Sequence, residues 1–191
     1  MTAPELLRAE LSSKKSWRRW VLGMSGVTDC YQPIERRFQL TRRCLEVLLE
    51  FRNPVCIITK NFLVTRDVDL LAPLARFDAV RVNVSIATLD PALTAKLEPR
   101  ASLPKARLEA IRILSAAGVN VNVLAAPMIP GLNDHEMVNI LGEAARASAR
   151  SAGYVPLRLP FAVKDIHRLA GATFPGAQGQ GAEPRPSPAR R

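Results

Sequence analysis

Short apolar runs alternate with longer amphipathic stretches along this chain. The apolar runs are strand-like at Trp20–Met24, Val55–Thr59, Ala79–Ile86, Val119–Ala126 and Gly153–Leu159. Within them Val82, Val84 and Ile86 fall on alternate positions, and Val119, Val121 and Val123 alternate with Asn120 and Asn122. Alternation of this kind predicts strands with one apolar and one polar face. Between them, helical patterns span Ile34–Phe51, Asp67–Ala75, Pro104–Ala117 and Asp134–Ser151. Leu108, Ile111 and Leu114 share one face of the 104–117 helix, and Gly118 supplies its stop signal just before the next strand. Near the N-terminus Leu6, Leu7 and Leu11 fit one face of a helix. Strand and helix in regular alternation predict parallel βαβ units with right-handed crossovers, an α/β fold.

Composition sharpens the class. With 191 residues, 48% of them hydrophobic, the chain is one domain or a large piece of one, with a substantial core. No apolar run approaches the ~18 residues that a membrane span requires, so no membrane association is expected. The opening MTAPELLRAELSSKK has no signal-peptide core, which predicts a cytoplasmic location. From Gly171 the sequence GATFPGAQGQGAEPRPSPARR loses all periodicity and is expected to be disordered, because it holds too little apolar surface to offset ordering. The organisation is therefore an α/β domain over 1–170 and a tail over 171–191. The tail reads as a foreign or frameshifted end, or as a natural flexible one.

The formal charge of +10 is distributed along the chain, with groups at Lys14, Lys15, Arg18, Arg19 and at Arg36, Arg37, Arg42, Arg43. Nucleic acid or another polyanion is one reading of these groups; solvated helix faces are the other. No aromatic residues interleave with them to stack on single strands, and charge alone supports only non-specific binding. Cys30, Cys44 and Cys56 are odd in number and widely spaced, which argues against a disulfide framework. They also lack the short Cys-x-x-Cys loop that presents two thiolates to one metal centre. His135 and His167 have no ligand partners at metal spacing and read as structural or exposed.

Candidate chemistry concentrates where strands end. The segment from Ser25 to Glu35 joins the first apolar run to a helical pattern and gathers Gly26, Thr28, Asp29 and Pro33. Glycine permits close approach to the backbone, Thr28 and Asp29 offer hydrogen-bonding oxygens, and Pro33 opens the helix. The same residues also suit a plain capped loop.

The strings GVTDCYQPIERR, LTRRCLEVLLEFRNPVCIITKN, VSIATLD, KLEPRASLP and APMIPGLNDHE, in this order, resemble the radical S-adenosylmethionine superfamily, in its spore photoproduct lyase-like branch. The resemblance covers roughly residues 4 to 160. It implies a partial (β/α)6 TIM-like barrel of parallel strands that lacks its first strand, with the active site at the C-terminal strand ends. It also implies two cofactors, S-adenosylmethionine and a [4Fe–4S] cluster. The family's CxxxCxxC cluster motif is nowhere in this sequence, so no cluster is expected in this chain.

The resemblance also implies roles for individual residues. Thr28 and Asp29 would meet the cofactor's amino group, Asp29 as acceptor, or Asp29 serves as a loop cap. Ser85 would contact the ribose, or is a small core residue. Arg100 would bind the cofactor's carboxylate, or is a surface arginine paired with Glu98. Pro130 and Gly131 belong to a turn that resembles the backbone platform for adenine, with Asp134 capping the next helix. Lys60, in Thr59-Lys60-Asn61, would approach an anionic group or simply mark an exposed loop.

The expected function is that of a fragment or degenerate member of these enzymes, keeping a cofactor cradle but inactive alone. The alternatives are a non-catalytic nucleotide or nucleic-acid binding module, and one half of a split enzyme. In the split case a complementing chain brings the cluster loop and pairs the open sheet edge near residues 20–24.

Overall fold

The computed structural model describes residues 2–13, 20–25 and 27–157. The basic group at 14–19, Gly26, His167 and the 171–191 tail lie outside them. Five strands form one parallel sheet in the order β1-β2-β3-β4-β5: β1 Leu22–Met24, β2 Val55–Thr59, β3 Val80–Ser85, β4 Asn120–Met128 and β5 Ser151–Pro156. Because neighbours in sequence are neighbours in the sheet, right-handed crossovers put the intervening helices on one face, which lets the sheet curl as a partial barrel. These helices are α2 Glu35–Phe38, α3 Leu40–Glu50, α4 Val68–Arg76, α5 Pro91–Leu97, α6 Pro104–Ala116 and α7 Met137–Arg146, preceded by α1 Ala3–Ser13. No helix of the described residues is long and apolar enough to cross a membrane.

The core lies on the helix side of the sheet. Val55 and Ile57 of β2, Val80, Val82 and Val84 of β3, and Val121, Val123 and Ala125 of β4 are buried there. They join one cluster with Leu45 and Leu48 of α3, Leu71 and Leu74 of α4, Ile111 and Leu114 of α6, and Ile140 of α7. Of the N-terminal leucines Leu11 is buried, while Leu6 is exposed on the far side of α1.

The inner face has a different character. Asn83 Nδ2 donates to Cys56 Sγ at 3.1 Å and to the Ile57 carbonyl at 3.2 Å. Asn122 Nδ2 donates to Asn83 Oδ1 at 3.3 Å, and Ser151 Oγ donates to Asn122 Oδ1 at 2.7 Å. A polar ladder therefore crosses β2, β3, β4 and β5, following the register Asn83–Asn122–Ser151.

The strand expectations hold within a few residues, and three helical details differ. The helix expected over 34–51 is broken at Gln39, whose φ of +50° is left-handed. Two demands pull the halves apart. Glu35 is buried and held by Arg66, whereas α3 must turn Leu45 and Leu48 into the core. The helix expected to reach Ser151 ends at Arg146, and β5 begins at Ser151 rather than Gly153. α5, the helical piece before the Glu98–Arg100 loop, has no bounds in the sequence pattern, although Asp90 caps it by accepting from Ala92 N at 2.7 Å and Pro91 opens it.

Candidate functional site

The C-terminal strand ends carry two clefts. The first, about 420 Å³, is lined by Thr28, Asp29, Lys60, Glu98 and Arg100 among others, where the loop after β1 faces the segment after α5. The second, about 360 Å³, is lined by Lys60, Ser85, Leu124, Ala126, Pro127 and Val155 over the ends of β2 to β5. Lys60 borders both. The first cleft is ringed by charge, whereas the second is mostly apolar apart from Lys60 and Ser85.

Asp29 is a clasp between strand ends. Its Oδ1 accepts from Tyr31 N and from Thr59 Oγ1, both at 2.8 Å. Its Oδ2 accepts from Lys60 N at 2.7 Å, with Thr59 Oγ1 also near at 3.0 Å. A carboxylate has about four acceptor positions, so three protein donors leave room for one more. Thr28 is exposed, its Oγ1 accepting from Gln32 Nε2 at 2.6 Å. Ser85 is buried and donates to the Ala126 carbonyl at 2.9 Å, which ties the end of β3 to β4.

Glu98 pairs with other partners than the neighbouring Arg100. Its carboxylate lies between Lys60 Nζ at 2.7 Å and Arg107 NH2 at 2.6 Å. Arg107 had no place in the sequence reading, since an arginine on an amphipathic helix reads as surface. Its side chain is in fact 1% exposed. It donates from Nε to the Ser102 carbonyl at 2.6 Å and from NH1 to the Ser85 carbonyl at 2.9 Å. Arg100 is exposed and borders the first cleft.

Pro130 and Gly131 are exposed and border neither cleft. Their turn, with Gly131 at φ +75°, is organised from beneath by buried Asn133. Asn133 Oδ1 accepts from Ile129 N at 2.6 Å, and its Nδ2 donates to the Ala87 and Pro127 carbonyls at 2.7 and 3.0 Å. Asp134 Oδ1 accepts from Gly131 N at 2.9 Å, so it caps the turn rather than the helix.

A charge cluster supports the first cleft from outside. Asp67, fully buried, receives Arg42 at 3.0 Å and Arg66 through Nε and NH2, both at 2.8 Å. Arg66 NH2 also reaches Glu35 at 3.1 Å, and Arg42 grips exposed Asp69 through two bonds at 2.9 and 2.7 Å. That pairing holds the Asp69 carboxyl below its usual range, the Arg42 hydrogen bond being the main cause. Tyr31 is fully buried, and burial first, then nearby Asp67, pushes its phenol well above the ordinary value. Arg42 is thereby tied into the fold, while Arg36, Arg37 and Arg43 remain exposed.

The thiols stand apart in the fold. Cys30 lies in the loop after β1, Cys44 on α3 and Cys56 on the inner face of β2. Burial, the largest influence, pushes the Cys30 thiol up to about 12, and burial also raises Cys44. Among the described residues no three His, Cys, Asp or Glu converge as a metal site, so their donor set does not fit an iron–sulfur cluster.

Known proteins share this sequence and fold. The chain is 36% identical over 156 residues to an uncharacterized protein of Mycobacterium bovis, covering 81% of this chain and 46% of that one. It thus spans about half the length of the curated relatives it matches. A mutant of spore photoproduct lyase superposes with a TM-score of 0.62 at 17% identity, over 92% of this chain and 52% of that one. Another spore photoproduct lyase mutant, with bound AdoMet and dinucleoside spore photoproduct, gives a TM-score of 0.59 at 17% identity, over 92% of this chain and 51% of that one. The sequence model of the Radical SAM superfamily matches residues 2–144, and the chain, with five parallel strands and clefts at their C-terminal ends, belongs to that superfamily.

Proposed function

We propose that this chain is the cofactor-cradling wall of a radical S-adenosylmethionine enzyme, and that it performs no radical chemistry alone. The observation that carries this reading is the sharing of Lys60 by a charged and a mostly apolar cleft. S-adenosylmethionine has the same division, with a zwitterionic amino-acid end and a nucleoside end. Lys60 and Arg100 would hold the carboxylate, with Arg100 able to do so bidentately. Thr28 and the remaining acceptor position of Asp29 would receive the ammonium. The Ser85 oxygen, whose proton is donated to Ala126, is left as an acceptor for a ribose hydroxyl. Pro127, at the border of the second cleft, would back the adenine, whereas Pro130 and Gly131 lie outside it.

When reduced, the family's [4Fe–4S] cluster supplies the electron that cleaves the bound cofactor to a deoxyadenosyl radical. The described residues offer no ligand set for it, so no step through the cluster is assigned to them. The chain's own work is to bind, orient and exclude water.

Titration calorimetry with S-adenosylmethionine tests the reading. Saturable 1:1 binding is expected, weakened by Arg100→Ala and by Ser85→Ala. An absence of heat or protection up to millimolar ligand refutes it. Formation of deoxyadenosine with dithionite, beyond the buffer background, would refute the claim of inactivity alone.

A further inference from the structure

The carboxylate of Glu98 gives one oxygen to Lys60 and the other to Arg107, rather than closing a two-bond pair with the arginine. Were neutralising Arg107 its only task, the bidentate arrangement would be the stronger one. Arg107 is itself fixed in three directions, by Glu98, by the Ser102 carbonyl and by the Ser85 carbonyl, with its side chain 1% exposed. Glu98 is 9% exposed in its side chain and Lys60 is 35% exposed. Order therefore passes outward, from a rigid buried guanidinium, through a nearly buried carboxylate, to a lysine at the junction of the clefts.

Lysine needs such help. Its ammonium is a point charge on a flexible four-carbon stem, with three donors and substantial rotamer freedom. The ammonium stands 2.7 Å from Glu98 as an ion pair, and its donors can still be directed at a ligand. Two cations and one anion leave the triad with a net charge of +1 where the clefts join, suited to a single carboxylate.

We infer that Glu98 is a positioning residue that aims Lys60 at the ligand's carboxylate, and that Arg107 holds Glu98 in place from behind. Arg107 also grips the backbone at Ser85, so the carboxylate and ribose ends of the site are set by one buried group. The inference rests on reading the clefts as an S-adenosylmethionine site.

The test compares affinities for S-adenosylmethionine and for its decarboxylated analogue, which differ only in the carboxylate that Lys60 and Arg100 would receive. Wild type is expected to prefer S-adenosylmethionine by at least about tenfold, the ratio that corresponds to one good charged contact. Lys60→Met and Glu98→Gln are both expected to cut that preference by a similar factor, roughly tenfold, leaving only what Arg100 supplies. Ser85→Ala should weaken both ligands alike and leave the ratio standing. General damage would not separate the variants in this way.

Because Glu98→Gln leaves Arg107 buried without its counter-charge and can prevent folding, Glu98→Asp is measured as well. The shorter acid keeps the charge next to Arg107 but withdraws from Lys60, and it should lower the preference too. If Lys60→Met lowers the preference while folded Glu98→Gln or Glu98→Asp keeps it whole, the positioning role is wrong and the ligand reading stands. If wild type binds neither compound, the ligand reading fails and the inference falls with it.

Discussion

Asp29→Ala is expected to unfold the domain more readily, by an amount the geometry sets. Three donors lose their acceptor: Tyr31 N at 2.8 Å, Thr59 Oγ1 at 2.8 Å and Lys60 N at 2.7 Å. A hydrogen bond to a charged group contributes about 1.5–3 kcal/mol when the donor is left stranded in a dry site. Asp29 is only half-buried, so water can reach the vacated donors, and about 1 kcal/mol for each is the appropriate figure. The sum is about 3 kcal/mol, which for a domain of this size lowers Tm by roughly 6–12 °C. Urea titration followed by circular dichroism reads it directly, with an unchanged slope showing that the unfolded state is not altered. Thr59→Val should cost about 1 kcal/mol, and the double variant should be less damaged than the sum of the two singles by a similar amount. A loss under about 0.5 kcal/mol for Asp29→Ala, or strict additivity with Thr59→Val, would refute the clasp and leave Asp29 as a loop carboxylate idle in folding.

Further outcomes are expected at the Asp67 cluster and at Cys30. Asp67→Asn should destabilise by about 2–3 kcal/mol, because it uncouples Arg42 and Arg66 from a buried carboxylate; Asp69→Asn, at an exposed carboxylate on the same Arg42, should cost under about 1 kcal/mol and fade in high salt. For Asp69, held below its usual range, the contribution is present above the unfolded carboxylate range and lost as acid titrates the folded group. Cys30, with its thiol pushed from 9.0 to about 12, should alkylate at pH 8 far more slowly in the native protein than in urea. Its folded pKa is raised, so its contribution to stability is complete below about pH 9 and is lost as pH rises toward 12. Native alkylation as fast as that in urea would show the loop to be open.

The sequence revealed the parts of this fold that depend on local pattern. Val82, Val84, Val121 and Val123 announce their strands because the two-residue period is also the period of burial in a sheet packed on one side. Gly118, at φ +82°, marks the end of α6 because the chain needs a left-handed residue there. Gln39 also adopts a left-handed conformation, yet its residue type does not announce it. The break is held by Glu35, whose Oε1 accepts both from Arg42 N at the start of α3 at 3.2 Å and from Arg66 NH2, 31 residues away, and only the first of these is local. The candidate site divides in the same way. Thr28, Asp29, Lys60 and Ser85, at strand ends, and Arg100, in the loop between α5 and α6, come together at the clefts, whereas the buried partners behind them stay hidden. Arg107 and Asn133 occupy positions whose residue types usually face water, and only tertiary contacts with Ser85, Ala87 and Pro127 explain their burial.

The polar ladder on the inner face divides each strand between two masters. Alternate residues of β2, β3 and β4 hold the helices and decide whether the chain folds; the residues between them, Cys56, Asn83 and Asn122, satisfy one another and contribute nothing to the greasy side. A mutation at an odd or an even position therefore answers to a different selection. The inner set, bonded to itself, is exchanged only together, because removing one member leaves its neighbours' polar groups without partners, while the outer set answers to the core. A wall with that property can be inherited by enzymes of unlike chemistry with no renegotiation of how it folds.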